Sequence, residues 1–449
     1  MTENIKIFTP KDLPADERAI AQLRTCMRAG DAVDGVLAAD HHVGYSQPIG
    51  GAIAFPDHIS PSGVGYDIGC GNKAVATSLL YSDIRDDLGK IMDEIAQRIS
   101  FGLGRPNNEP VDHPVFDRIN RDAPLPGIRD LLGLARTQLG TVGGGNHYVD
   151  LFREEGTDRV WIGVHFGSRG FGHKTAKGFL ALAQGKGFGD KVDEGEMDSP
   201  PVLLHKDSAL GHMYIEAMNI AGEYAYAGRD TVVDKVLEIL GNPGVFAEVH
   251  NHHNFAWEED VWTKEGPYSA WVVRKGCTPL WPNQQGFVGG SMGENAVIIR
   301  GLGLDAMGGL DKASDALHSA PHGAGRVMSR TEAAGKSKKR WYCRSCDWVQ
   351  GVGEAAPKED HCPQCASNGN LGRKQVITRQ GRVDWMAVKK DLALAGIELR
   401  GGAADEAPEA YKNLPAVLEA HRDHITVDQQ LQPIGVVMAG SDVFDPFKD

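Results

Sequence analysis

The stretch Arg159-Val160-Trp161-Ile162-Gly163-Val164 reads as a buried strand, an apolar run of strand length that ends at His165 and the tight tract His165-Phe166-Gly167-Ser168-Arg169. It decides the fold class because the segments around it are of both kinds. Residues 16–29 and 83–99 have helical apolar spacing with charged opposite faces, and residues 208–240 also read as helix. Further strands are expected at 245–249, running into His250, and at 270–274 and 296–300. Near the end, a helix over about 405–421 and a terminal strand over 432–438 complete the pattern. Long helices alternating with isolated strands imply a single large mixed α/β domain, with the chemistry at strand ends.

With 449 residues and 41% hydrophobic content, the chain can bury a substantial core, which excludes disordered and fibrous classes. The longest apolar runs, such as 434–439, are far too short to span a bilayer. Residues 1–14 lack a basic segment followed by an apolar one, so a soluble cytoplasmic protein is expected, with no membrane partner. Lysine and arginine number 47 against 60 acidic residues, a net charge of −13. That total speaks against a nucleic-acid partner in general but leaves room for a local basic groove.

Around the strand lies a series of glycine-framed candidate ligands: Asp67 and Cys70 in Gly65-Tyr66-Asp67-Ile68-Gly69-Cys70-Gly71, His147 after Gly145-Asn146, His165, and His253 in His252-His253-Asn254. A carboxylate and a thiol on one turn, joined by imidazoles, give mixed oxygen, sulfur and nitrogen ligation of the kind found in catalytic metal centres. Of the 17 histidines, His113, His173, His205, His212 and His424 are read as ordinary surface or core residues. Alternation along an extended segment sends His250 and His252 to one face and His253 to the other. His322 stands apart because Gly323-Ala324-Gly325-Arg326 follows it, a loop whose N–H groups and guanidinium suit phosphate; a nucleophile fits it better than a ligand. Gly289-Gly290-Ser291-Met292-Gly293 is a second glycine-rich cradle. Gly335-Lys336-Ser337 imitates the end of a P-loop, but Arg330 stands where that motif needs its first glycine.

Residues 331–382 break the pattern and read as an inserted module between 1–330 and 383–449. Cys343-x2-Cys346 and Cys362-x2-Cys365 have the spacing of a four-thiolate structural Zn²⁺ site, a zinc-ribbon-like module in a reducing compartment. Lys338, Lys339, Arg340, Trp341 and Tyr342 just before it mix cations and aromatic rings as nucleic-acid strands require, although such a run is also common on a solvated face.

Taken in order, GYDIGCGNKAVAT, GTVGGGNHYVD, VHFGSRG, HHN, GGSMG, IIRGLG and PHGAGRVMSR closely resemble the RtcB family of 3′-phosphate RNA ligases, over about residues 35–330 and 383–440. The resemblance implies that family's α/β fold and a cleft with two Mn²⁺ ions. Cys70 would bridge them, His147 and His165 would complete one site, and Asp67 and His253 the other. His322 would be the catalytic residue that carries GMP taken from GTP. Nucleotide contacts would come from Asn146, Asp150, Asn254, Gly289, Gly290, Ser291, Met292, Gly323, Ala324 and Gly325, and contacts to phosphate or RNA from Arg169 and Arg326. The implied reaction is ligation of RNA ends bearing a 2′,3′-cyclic phosphate or 3′-phosphate to 5′-hydroxyl ends, in RNA repair or tRNA splicing. The need for an archease-like activator is left open.

Departures from the family gather around the base: Asp150 replaces a usual glutamate, Ala296 a usual serine and Ala439 an expected lysine. Nucleotidyl transfer is expected to be retained, with base preference or substrate open to change. Two rivals are a two-metal phosphoesterase or cyclic phosphodiesterase without nucleotide transfer, and a non-catalytic RNA-binding repair subunit.

Overall fold

A computed structural model describes residues 4–440 apart from 194, 264–265, 310–313, 352 and 358–360. The strand expected at 159–164 runs over Arg159–Phe166 near the middle of the larger sheet. Its order is Gln285–Val288, Ala296–Gly301, Ile425–Gly440, Tyr148–Glu154, Arg159–Phe166, Gly71–Leu80, Val245–His252. Every ladder on this path is antiparallel, and Glu398–Gly402 adds a parallel strand beside Ile425–Gly440.

Antiparallel pairing has a direct consequence for the candidate ligands. Strand starts and strand ends share one rim. The register sets Tyr148 opposite His165, and His165 opposite Asn72, while Gly71 faces both Phe166 and His252. Cys70 and His147 precede strand starts at this rim, and His165 and His253 lie at strand ends.

The two faces of this sheet are apolar in alternation, as the pleat requires. Val75, Val149, Leu151, Val160, Ile162 and Val164 pack with Met92, Ile95, Val232 and Val236 from the helices Leu88–Arg98 and Ala209–Ile239. Ala74, Ala76, Phe152, Trp161, Phe287 and Ile298 form a separate cluster. A second sheet has the order Asn4–Ile7, Asp34–His42, Ile49–Phe55, Gly266–Lys275, Asn254–Thr263. The chain passes from the first sheet to the second at His253, between Val245–His252 and Asn254–Thr263.

The helix expected at 16–29 spans Glu17–Met27, with Asp16 capping the N–H groups of Arg18 and Ala19. The stretch 83–99 is two pieces, Tyr81–Ile84 and Leu88–Arg98. The helix expected over 405–421 is not continuous: two 3-10 turns, Ala404–Glu406 and Pro408–Ala410, precede the short helix Leu414–Glu419. Pro408 and Pro415 each lack an N–H and clash with a preceding helical turn, so helical spacing there could not become one helix. Between 331 and 382 the chain forms a two-stranded antiparallel ribbon, Gly335–Cys343 with Leu371–Gln380. The N–H groups of Arg382 and Val383 donate to the carbonyls of Glu332 and Ala333, closing its base.

Candidate active site

At the shared rim, Cys70 Sγ lies 3.6 Å from His147 Nε2 and 3.4 Å from His165 Nε2. His253 Nε2 is 3.3 Å from His165 Nε2, and Asp67 Oδ2 is 3.2 Å from His147 Nε2. Five side chains from four separate stretches therefore converge on one buried spot. His165 donates from Nδ1 to the carbonyl of Asn146 at 3.0 Å, which leaves its Nε2 unprotonated and aimed at the others. Burial holds the His165 and His253 imidazoles well below the usual histidine range, so both are neutral, as ligands must be. Burial and the nearby Asp67 carboxylate push the Cys70 thiol up. Burial opposes ionisation of Asp67, but His147 and Arg169 hold its carboxyl down to about 2. A buried carboxylate and thiol beside unprotonated imidazole nitrogens form a donor set that fits divalent metal ions.

Alternation places His250 and His252 on the opposite side, as the sequence reading expects. Both rings take hydrogen bonds from the fully buried Arg229, at 2.8 and 2.9 Å. His253 alone of the three faces the ligand group.

Next to this group opens a cavity of about 290 Å³ lined by Asn146, Asp150, Gly289, Gly290, Ser291, Met292, His322, Gly323, Ala324, Gly325 and Arg326. The His322 and His253 ring centroids are 4.7 Å apart, so the candidate nucleophile borders the candidate ligands. Gly325 has φ +76°, and a Cβ there would stand 2.0 Å from the Asp40 carbonyl oxygen; only glycine lets this loop close. Four buried polar atoms on the cavity's lining residues have no partner among the described residues: Asn72 Oδ1, Tyr148 OH, Asp150 Oδ1 and Arg326 Nη2. Unpaired buried groups of this kind are costly unless a ligand satisfies them. Burial pushes the Asp150 carboxyl well above the usual carboxylate range.

Two expected contacts lie outside this lining. The Asn254 side-chain oxygen accepts the Gly276 N–H at 2.7 Å, behind Asp67. Arg169 is buried with φ +54° and reaches His147 Nδ1 at 3.5 Å. Ala296 belongs to the packed cluster under the sheet. Among the described residues, His113, His173, His205, His212 and His424 do not line the cavity.

Sequence reasoning missed Asp40. It is fully buried on Asp34–His42, and its Oδ2 accepts from His322 Nδ1 at 2.7 Å, from the His322 N–H at 3.0 Å and from the Gly323 N–H at 3.3 Å. Burial favours its neutral form, but the His322 ring and Lys412 reverse that and hold it below the usual carboxylate range. A carboxylate accepts only, so Nδ1 keeps its proton and Nε2 carries the lone pair. The signal was present in Ala38-Ala39-Asp40, an acid inside an apolar strand. Tyr148, Arg330, Glu406 and Tyr411, which also line the cavity, gave no comparable signal.

The cysteines of the ribbon also meet: Cys343 and Cys365 sulfurs are 3.6 Å apart, as are those of Cys346 and Cys362, and all four lie within 4.8 Å of one another. That spacing is far beyond a disulfide and close to the ~3.8 Å edge of a tetrahedron with Zn–S bonds of about 2.3 Å.

Fold and site together define a mixed α/β protein with a buried thiol–imidazole–carboxylate cluster beside a glycine-walled cavity. The family model described as "tRNA-splicing ligase RtcB" matches residues 22–123 and 129–361. The RNA-splicing ligase RtcB of Escherichia coli K12 is 29% identical over 366 residues, covering 74% of this chain and 84% of that protein. The tRNA-splicing ligase RtcB of Archaeoglobus fulgidus is 28% identical over 481 aligned positions, covering 91% of this chain and 88% of its own length. This chain belongs to the RtcB family. Among the described residues, no helix is long and apolar enough to cross a membrane.

Proposed function

We propose that this chain is an RNA ligase that joins 2′,3′-cyclic phosphate or 3′-phosphate ends to 5′-hydroxyl ends, in RNA repair or tRNA splicing. The reaction runs through a covalent histidine–GMP intermediate on His322. The observation that carries this reading is the placement of His322: its Nδ1 is tied to Asp40 and its ring borders both the ligand group and a cavity with unsatisfied polar atoms. Two Mn²⁺ ions held by Asp67, Cys70, His147, His165 and His253 would supply charge neutralisation at the transferring phosphate. A structural Zn²⁺ held by Cys343, Cys346, Cys362 and Cys365 belongs to an inserted module over 331–382, and 1–330 with 383–449 form the catalytic domain.

The His322 Nε2 lone pair attacks the α-phosphorus of GTP. A P–N bond forms, the bond from that phosphorus to the bridging oxygen breaks, and pyrophosphate leaves. Asp40 keeps the Nδ1 proton in place and stabilises the ring as its charge grows. Arg326 and the N–H groups of Ala324 and Gly325 receive phosphate oxygens. Where the RNA end is a 2′,3′-cyclic phosphate, water first adds at phosphorus and the bond to O2′ breaks, leaving a 3′-phosphate and a 2′-hydroxyl; an oxygen of the 3′-phosphate then takes the GMP, breaking the P–N bond and restoring neutral His322. Finally the 5′-hydroxyl oxygen bonds to the RNA phosphorus, the bond from that phosphorus to the oxygen it shares with GMP breaks, and GMP departs, its phosphate taking up the hydroxyl proton. Ser291, Met292 and Asp150 lie along the cavity where the nucleoside would rest. The cytoplasm is the setting this reading implies.

Incubation of the full chain with Mn²⁺ and α-labelled GTP, or each of the other nucleoside triphosphates, tests it. An acid-labile label is expected on the wild type and none on His322→Ala. Absence of label with every nucleotide, together with opening of a cyclic phosphate, would establish the phosphoesterase reading instead.

A further inference from the structure

The ribbon Gly335–Cys343/Leu371–Gln380 leaves the catalytic body directly from the wall of the cavity. Arg330, which lines that wall, opens the helix Arg330–Ala334, and Gly335 follows without a linker. Nine strand residues at ~3.4 Å each reach roughly 30 Å from that base.

Alternation along paired strands gives the ribbon two faces. On one, Trp341 is opposite Arg373, whose guanidinium carbon lies 4.6 Å from the ring centroid. On the other, Tyr342 is opposite Gly372, where a Cβ would stand 2.8 Å from the tyrosine ring, and Lys374 Nζ lies 5.2 Å from its centroid. Each face thus carries one aromatic ring with a cation over it. Lys336, Lys338, Lys339 and Arg379 extend the same strands and are exposed. Among the described residues, none of Lys338, Lys339, Arg373, Lys374 and Arg379 has a carboxylate partner. Residues 331–382 hold ten lysines and arginines against five acids, in a chain whose net charge is −13. Ordinary solvated faces intersperse both signs; this ribbon concentrates one sign and interleaves it with rings.

We infer that the ribbon is a single-stranded RNA-binding arm that holds the strand whose end enters the His322 cavity. Lysines and arginines track the phosphates, and Trp341 and Tyr342 take unstacked bases. This deepens the ligase reading by naming where the substrate strand is held outside the active site. The zinc cluster at the tip keeps the two strands paired.

Fluorescence anisotropy with a labelled 20-nucleotide single-stranded oligoribonucleotide and the full chain tests the inference. The triple variant Lys338→Glu, Lys339→Glu, Lys374→Glu should bind at least about tenfold more weakly, and its log–log salt slope should fall by about 2, at ~0.7 per phosphate contact. Trp341→Ala should lose about fivefold or more, from the loss of one stacked base. Zinc content is measured in each variant. If the charge reversal loses its metal, Trp341→Ala and Lys374→Ala, which leave the cysteine turns alone, carry the test. Affinities within twofold of wild type for the metal-replete variants would overturn the proposal and leave an acidic protein surface as the ribbon's partner. Labelling of His322 is scored separately: a chain that binds RNA through the ribbon yet never takes up nucleotide refutes the ligase reading alone.

Discussion

Replacing Asp40 by asparagine preserves the shape of the side chain and removes its charge. In the structure, Asp40 Oδ2 accepts three hydrogen bonds, two from the backbone and one from His322 Nδ1 at 2.7 Å, in a fully buried setting. A hydrogen bond to an ionised partner contributes about 1.5–3 kcal/mol, and in the proposed reaction the ring gains positive charge as Nε2 bonds phosphorus. Losing the upper part of that range from the transition state alone slows the step by about 100-fold, since each ~1.4 kcal/mol is a factor of ten. The amide also donates, so it can drive His322 to the wrong tautomer and add to the loss. Asp40 does not line the cavity, so nucleotide binding should change little. Single-turnover labelling of the chain with α-labelled GTP and Mn²⁺, over a nucleotide series, separates the two effects. The expected result is a fall of about 100-fold at saturating nucleotide with an unchanged half-saturating concentration. A rate within threefold of wild type would refute the role assigned to Asp40 and to the Nδ1–H tautomer. Melting temperatures must be measured alongside, because Lys412, which donates to the Ala39 and His41 carbonyls, loses a nearby counter-charge.

The other predictions concern separate parts of the molecule. Cys346→Ser should lose one zinc per chain and speed hydrogen exchange in Gly335–Cys343 while leaving His322 labelling within twofold; a parallel collapse of labelling would show that the ribbon does not stand apart from the catalytic body. Arg229→Met should weaken metal binding by about 10–100-fold in a metal titration, the usual cost of removing a group that orients ligands, and an unaltered affinity would rule that role out. Asp150→Glu should raise the preference for GTP over ATP in the labelling assay by about tenfold, because the longer acid reaches further into the cavity that Asp150 lines; an unchanged ratio would remove Asp150 from base selection. Asp315 accepts from His424 at 2.7 Å and from Lys6 at 2.6 Å, and although burial opposes it, these partners hold its carboxyl below 3.8. Its contribution is therefore complete above about pH 4 and is lost as pH falls through the lower folded value. Urea unfolding should show Asp315→Asn about 1–2 kcal/mol less stable at pH 7, a gap that closes in acid; a gap of equal size at both would contradict the assignment.

The strands around the site were legible because they are buried and short, and their ends carry histidines. Arg159–Phe166 and Ala296–Gly301 extend the expected strands by only two residues and one residue at their C-termini. The opposite orientations of His252 and His253 also followed from alternation alone. What the sequence could not show was antiparallel order. Alternating helices and strands do not specify which strands pair, so the meeting of starts and ends at one rim appears only in the register. The segment 405–421 misled because apolar spacing survives in a chain folded as turns, where Pro408 and Pro415 prevent a single helix. Asp40 lies far from His322 in sequence, and no local pattern joins them.

Antiparallel order also explains why a fully buried arginine sits beneath the site. Arg229, on the helix Ala209–Ile239, donates to the Gly69 carbonyl at 2.9 Å and to the Phe166 carbonyl at 2.7 Å, and its other nitrogens reach His250 and His252. Gly69 immediately precedes Cys70, Phe166 immediately follows His165, and His252 immediately precedes His253. One planar guanidinium therefore fixes the backbone or neighbouring ring beside three of the five candidate ligands. Lysine could not reproduce this, since its single nitrogen has no fork to span separate strands. Burial lowers the Arg229 guanidinium to about 10, which still leaves it charged at neutral pH. Its charge faces carbonyl oxygens and neutral rings, and among the described residues no carboxylate bonds to it directly. Such an arrangement is costly unless negative charge resides close by, and the Asp67 carboxylate, on the turn that Arg229 holds through Gly69, provides it. The helix thus holds the strands that carry the candidate ligands in position and brings a positive charge close to the Asp67 carboxylate.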